Sequence, residues 1–149
     1  MIIRTATPAD IPDLCRLLSV LFTQEAEFKV DVDAQVRGLT AIIGNPAIGT
    51  ILIARDNNVA IGMVNLLFTV STALGERVAL LEDMVVTESA RGTGVGSQLI
   101  NHAIDTARAA GCKRMTVLSD RDNTAAHRFY QRHGFELSSM LPLRLALDS

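Results

Sequence analysis

Apolar and polar positions recur along the chain with two periods, and the switches between them mark out the elements. Ile2 to Arg4 reads as a short first strand. Thr7-Pro8-Ala9-Asp10 carries the signals of a helix start, with Thr7 as N-cap, Pro8 at the first helical position and Asp10 in a capping-box position. Ile11, Leu14, Cys15, Leu18, Leu21 and Phe22 then fall on one helical face. Thr23 to Val32 has weak periodicity and reads as a loop carrying Glu25, Glu27, Lys29 and Asp31. Asp33 is placed to cap a second helix ending near Gly44, with Asn45-Pro46 as the stop. Thr50 to Arg55 predicts a strand, Asp56-Asn57-Asn58 a turn, and Val59 to Val70 a longer strand in which Gly62 marks a bulge or a close approach. Ser71 to Arg77 turns the chain into the next strand, and such short links favour antiparallel neighbours.

Ala79 to Val86 is short, apolar and β-branched at its end, which predicts the central strand. Val95, Leu99, Ala103 and Ala107, with Ile100 and Ile104 beside them, form the face of a helix that Gly111 closes. Arg114 to Leu118 is a further strand, and a strand-helix-strand unit of this length implies parallel pairing. Asn123 to His133 is the last helix, ended by Gly134. Glu136 to Leu147 predicts one bent strand or two short ones, with Pro142 limiting pairing at its position. The pattern predicts an α/β (α+β) fold: a mixed central sheet with about four helices packed on it, residues 1–149 forming a single domain. A length of 149 residues is close to the commonest domain size.

The link between central strand and helix, Arg91-Gly92-Thr93-Gly94-Val95-Gly96, has the character of an anion site. A helix opens with unpaired N–H groups and a partial positive charge. Glycines there let a ligand approach the bare backbone, and phosphate is the usual occupant. Two phosphate motifs fit badly. A P-loop needs G-x-x-x-x-G-K-[ST], and this stretch has no Lys; a dinucleotide fingerprint needs G-x-G-x-x-G, whereas Gly92, Gly94 and Gly96 are evenly spaced.

R-G-x-G-x-G after an E-D-M-V-V strand resembles the acetyl-CoA motif of the GNAT superfamily of N-acetyltransferases. Asn123-Thr124-Ala125-Ala126-His127-Arg128-Phe129-Tyr130-Gln131-Arg132-His133-Gly134-Phe135 is similar to that family's later N-x-x-A-x-x-F-Y-x-x-x-G-F segment. Alone, a glycine-rich turn is often just a turn and an F-Y pair is usually core packing. The two motifs in this order and spacing carry more than either. The resemblance implies the GNAT fold, in which two parallel strands splay and coenzyme A enters the gap. It implies acetyl-CoA as co-substrate with no metal, and backbone N–H groups of Gly92, Thr93, Gly94, Val95, Gly96 and Ser97 receiving the diphosphate, with help from Arg91. It further implies that the backbone of Met84, Val85 and Val86 pairs with the pantetheine arm and offers an N–H to the thioester carbonyl, an oxyanion-stabilising role. Asn123 and Ala126 fall at cofactor-arm positions of the later motif, and the Tyr130 hydroxyl falls near the sulfur.

Acetyl transfer from a thioester to an amine also needs proton traffic. Tyr130 is the candidate general acid; a phenol near pKa ~10 protonating a thiolate near ~8.5 is uphill by roughly 2 kcal/mol, so a hydrogen bond that strengthens as the thiolate forms is the smaller demand. Glu82 and Asp83 are adjacent on a strand and so face opposite sides of the sheet. Glu82 shares parity with Met84 and Val86 and is the candidate base or water-positioning residue, as in polyamine-type relatives. The bland alternative is that it only attracts a cationic amine. Glu25, Glu27 and Asp83 are candidates for acceptor binding. His102 reads as a surface residue, and His133 as serving a helix dipole.

Composition narrows the classes. Net charge is −2, so nothing drives general nucleic-acid binding. Of the basic residues twelve are Arg, several late in the chain: Lys113, Arg114, Arg121, Arg128 and Arg132. They form either a solvated helix face or a local field for coenzyme phosphates. Cys15 and Cys112 fit no metal spacing and read as packed, reduced thiols, which points to a cytoplasmic protein. No window approaches a membrane span. The expected activity is transfer of acetyl from acetyl-CoA to a primary amine of a small molecule, by direct attack in a ternary complex of a homodimeric enzyme. The alternatives are a protein lysine or N-terminal acetyltransferase and, from another class, a non-catalytic acyl-CoA-binding sensor.

Overall fold

The computed structural model describes residues 1–24 and 31–148. Five strands form one sheet in the order β1 (Ile2–Thr5), β2 (Gly49–Asp56), β3 (Val59–Ser71), β4 (Glu76–Val86) and β5 (Met115–Val117). The first four are antiparallel neighbours, and β5 runs parallel to β4. The antiparallel run β2–β3–β4 follows from its tight links. Asn57 and Asn58 adopt positive φ (50° and 64°), the conformation a two-residue hairpin turn demands and one that asparagine tolerates.

Helices α1 (Ile11–Gln24) and α2 (Val32–Ile43) cover one face of the sheet, and α3 (Val95–Ala109) covers the other. Leu14, Leu17, Leu18 and Leu39 pack with Ile51, Ile53, Met63 and Val85. Val95, Leu99, Ile100, Ala103 and Ala107 pack with Leu52, Ala54, Val64, Leu66, Ala79 and Leu81. The alternation along β2 and β3 therefore feeds two cores, one on each face. α4 (Thr124–Arg132) joins the α3 face through Phe129 and Tyr130, yet none of its residues is fully buried.

Several boundaries differ from the pattern reading. Helix α2 is capped by Asp31, not Asp33: Asp31 has extended backbone, and its carboxylate accepts from the Ala34 N–H at 3.1 Å. Asp33 lies inside the first turn, where it favours the helix through its charge. Thr23 and Gln24 belong to α1 and Val32 to α2, and residues 25–30 of the stretch read as a loop lie outside the described residues. Gly62 is a close approach: a Cβ there would lie 2.7 Å from Leu99 Cδ1 and 3.1 Å from the Val85 carbonyl oxygen. The bulge in β2–β3 lies beside it, at Ile61, since Gly62 pairs with Ala54 and Ala60 with Arg55.

The largest departure is the C-terminus. Residues 136–148 contain no strand, although the alternation predicts one. A strand needs a ladder partner, and among the described residues none pairs with this segment.

Candidate active site

Parallel pairing of β4 with β5 covers only Ala79–Leu81 against Met115–Val117. β4 then continues to Val86 while β5 has ended, so the β5-side edge of β4 is open from Glu82 onward. Beyond Val86 a 3-10 turn, Glu88–Ala90, leads into the glycine link, and α3 starts at Val95 with Gly94 as N-cap. Gly92 and Gly94 take positive φ (77° and 89°), and the space where their Cβ atoms would stand is empty out to 4 Å. α3 has no acidic residue in its first turn. Its opening N–H groups have no carbonyl one turn back to bond to. A bare, left-handed, uncharged backbone of this kind fits a diphosphate.

Two side chains tie the loop down. Arg91 Nε donates to the Val86 carbonyl oxygen at 3.2 Å, and the Thr93 hydroxyl donates to the Ala90 carbonyl. Gly96 is helical, and a Cβ there would lie 3.4 Å from the Phe129 ring and 3.8 Å from Met84 Cε. The open end of β4, the first turn of α3 and the middle of α4 therefore meet at one place. Ser97 Oγ and His133 Nε2 share a hydrogen bond of 3.1 Å, which fastens the start of α3 to the end of α4. His133 thus has a side-chain partner beyond its place at a helix end. No sequence spacing signals that link.

In α4, Asn123 Oδ1 accepts from the Ala126 N–H at 3.1 Å, so the candidate cofactor-arm residue also caps its helix. His127 Nε2 lies 2.8 Å from the Asp120 carbonyl oxygen. Tyr130 is half-buried between Phe129 and Phe135, with ring centroids 5.2 and 5.4 Å apart in edge-to-face arrangement. Gly134 at φ 96° ends the helix, and the Phe135 N–H bonds the Tyr130 carbonyl at 3.1 Å. The aromatic cluster is thereby held against the α3-side core.

The strand around the carboxylate pair is not the unbroken one that alternation implies. A bulge interrupts β3–β4: Asn65 pairs with Asp83 and Leu66 with Leu81, leaving Glu82 without a partner. Leu81 and Met84 both pack on the α3 side, although strict alternation would separate them. Parity therefore does not fix the face of Glu82, which is exposed. Asp83 is the half-buried member. Asn65 Nδ2 donates to its Oδ2 at 3.1 Å, and burial pushes its carboxyl above the ordinary range, with the Glu82 charge adding to the rise. Asn65 is buried, and its Oδ1 has no partner among the described residues. Gln35 of α2 is likewise buried with both side-chain polar atoms unpartnered among the described residues. Pattern reading missed both, though a polar residue inside V-N-L-L and another inside the apolar face of α2 were the available signals. Glu25 and Glu27 lie outside the described residues.

A strand edge that opens beside the glycine-capped start of α3, next to the helix that carries Tyr130, suits a donor bearing a diphosphate. The model of the Acetyltransferase (GNAT) family matches residues 12–135. The chain is 32% identical over 122 residues to the uncharacterized N-acetyltransferase YhfO of Bacillus subtilis (strain 168), covering 80% of this chain and 81% of that protein. It is 28% identical over 136 residues to the aminoalkylphosphonate N-acetyltransferase of Salmonella typhimurium (strain LT2), covering 91% and 85%. Its fold matches the aminoglycoside N-acetyltransferase AAC(6')-Iy in complex with CoA at a TM-score of 0.82 and 22% identity, over 99% of this chain and 95% of that one.

The chain belongs to the GNAT acetyltransferase family, and it is an acetyl-CoA-dependent N-acetyltransferase. Among the described residues no helix is long and apolar enough to cross a membrane.

Proposed function

We propose that the protein acetylates the primary amine of a small molecule by direct attack in a ternary complex, and that it does so as a homodimer. The observation that carries this reading is the meeting of Met84, Gly96 and Phe129, which gathers the open strand edge, the bare helix start and the Tyr130 helix. Bound acetyl-CoA supplies the thioester. The N–H groups of Gly92 to Ser97 hold its diphosphate, with Arg91 bracing the loop through Val86. The backbone of Met84, Val85 and Val86 holds the arm and stabilises the developing oxyanion.

Asp83 takes the base role in preference to Glu82. An alkylammonium must lose a proton before it can attack, and a carboxyl raised above its usual range is the better acceptor. The unpartnered Asn65 Oδ1 beside it suits an N–H donor of the incoming amine. Exposed Glu82 supplies charge that draws the cation in. The amine lone pair forms the new C–N bond, the C–S bond breaks, Asp83 receives the amine proton and Tyr130 gives one to the departing sulfur. Asn123 and Ala126 line the arm from α4. Amines named for relatives, such as aminoalkylphosphonates, support a small acceptor for this chain as well.

Thiol release from acetyl-CoA across a panel of polyamines, amino acids, amino sugars and aminoalkylphosphonates tests the proposal. We expect turnover on at least one of them, and a fall of about 10²-fold in kcat for Tyr130→Phe with KM for acetyl-CoA little changed. Acetylation confined to peptides would favour the protein-directed alternative. Calorimetric coenzyme binding without turnover on any amine would favour a sensor.

A further inference from the structure

Ser19 and Ser97 both stand inside α-helices, and their hydroxyls do different things. Ser19 Oγ in α1 donates to the Cys15 carbonyl one turn back at 2.9 Å, the ordinary resort of a helical serine. Ser97, in the first turn of α3, is bonded to a ring instead: its Oγ lies 3.1 Å from Nε2 of His133, 36 residues further on. That ring is well placed to hold the contact. His133 is the C-cap of α4, its backbone N–H donates to the Tyr130 carbonyl at 3.0 Å, and its ring packs against Phe129 with centroids 5.0 Å apart. Phe129 in turn abuts Gly96, the neighbour of Ser97. Ser97 and His133 are both half-buried, so this is not a chance meeting of two exposed side chains.

A hydroxyl carries one proton, and a bond between Oγ and a ring nitrogen can run either way. If Ser97 donates to Nε2, its proton is spent on the ring. If Nε2–H donates to Oγ, the hydroxyl proton is free to turn elsewhere. The first amide-to-carbonyl bond of α3 runs from Gln98 N–H to Gly94 O at 3.1 Å, so the Ser97 N–H has no carbonyl one turn back. The N–H and hydroxyl of Ser97 therefore belong to the same bare helix start that Gly94 caps. A diphosphate there accepts hydrogen bonds and gives none. It selects the direction in which the ring donates, because only then does Ser97 keep a proton for it. Without the ring, the hydroxyl falls back on the Thr93 carbonyl one turn earlier, as that of Ser19 does on Cys15.

We propose that His133 is a positioning residue for the coenzyme: its Nε2–H donates to Ser97 Oγ and so frees the Ser97 hydroxyl proton for a diphosphate oxygen. This role rests on the diphosphate site proposed above for the glycine turn, and brings α4 into it. Because His133 also bonds the Tyr130 carbonyl and packs on Phe129, one residue ties the loaded turn to the helix that carries Tyr130.

Calorimetry with CoA and nitrogen NMR of the imidazole test this role. Ser97→Ala and His133→Leu should each weaken CoA binding by about 10-fold, the scale of one charge-assisted hydrogen bond. Combined, they should cost no more than either alone, since both remove the same bond. His133→Gln, whose amide N–H stands near the place of Nε2–H, should stay within about 3-fold of wild type. In the wild-type CoA complex the Nε2 of His133 should carry a proton. A ring that merely packs against Phe129 would cost as much in the Ser97→Ala background as in wild type and would not be rescued by Gln; either result overturns the role, as does a complex with Nε2 unprotonated. If Ser97→Ala and Gly94→Ala weaken CoA while His133→Leu does not, the role falls and the diphosphate site stands. If none of the three changes CoA affinity, the diphosphate site itself falls. Should His133→Leu fail to fold, the NMR on wild type still decides the matter.

Discussion

Asp83 sits where a carboxylate is hard to ionise, and in the proposed base role its effect on activity and its cost to the fold have opposite signs. Its pKa is raised by burial, so the stability it contributes is complete below the ordinary carboxylate range and is lost as pH rises through its folded value. Asp83→Asn keeps a carbonyl for Asn65 to donate to and removes the charge. Thermal melts should therefore show the variant matching wild type near pH 3 and exceeding it at pH 7. In the same variant kcat should fall by about 10²–10⁴-fold, the usual range for losing a base. Unchanged kcat would move the role back to Glu82. Adjacent Glu82-Asp83 was visible in the sequence as a pair of carboxylates. Which of the two is buried was not, because the extra residue of a bulge is invisible to alternation: L-L-E-D-M-V-V reads as an unbroken strand. Asn65 escaped for a related reason, since its partner is eighteen residues away and meets it only through that register.

The element that the sequence pattern disclosed best is α3 with its glycine turn. Its apolar face, its closing Gly111 and its bare start are all local, and Cys112 N–H to Ala107 O at 2.9 Å completes the C-terminal motif at Gly111. The three glycines of the turn are not equivalent. Gly94 holds φ 89°, so Gly94→Ala should cost roughly 1–2 kcal/mol and lower Tm by a few degrees. Gly96 is helical and would put a methyl in ordinary contact with Phe129, so Gly96→Ala should leave stability within about 1 kcal/mol of wild type. Calorimetry with CoA should show the weaker binding in Gly94→Ala, whose cap shapes the bare amides. Equal Tm values for the two variants would count against this distinction. The alternation after Glu136 predicts a strand, and residues 136–148 form none. Alternation reports which residues suit a ladder, not whether a partner strand is within reach.

Across the molecule, the N-terminal elements are locked by charge. Arg4 donates to Asp10 at 2.7 and 2.9 Å, and Arg55 Nη2 reaches both Asp10 and Asp13 at 2.8 Å, joining β1, β2 and the entry to α1. The Arg4 guanidinium above all holds the Asp10 carboxyl well below the usual carboxylate range. A depressed pKa stabilises above the unfolded value, and the contribution is lost as pH falls below about 4. Asp10→Ala should cost about 3 kcal/mol at neutral pH, with the gap to wild type closing below pH 4 in urea titrations. A gap independent of pH would point to packing alone. The capping role of Asp10 was legible from Thr7-Pro8-Ala9-Asp10. Its pairing with Arg55, forty-five residues on, was not, because only the β1–β2 register brings them together. The parting of β4 from β5 has a mechanical corollary. β4 is paired with β3 from Gly62 to Ser71, whereas β5 is a three-residue strip paired on one side only among the described residues. One side of the mouth is held by a long ladder and the other by a three-residue one, so opening of the sheet there is expected on the β5 side first, which amide hydrogen exchange along β4 and β5 would read.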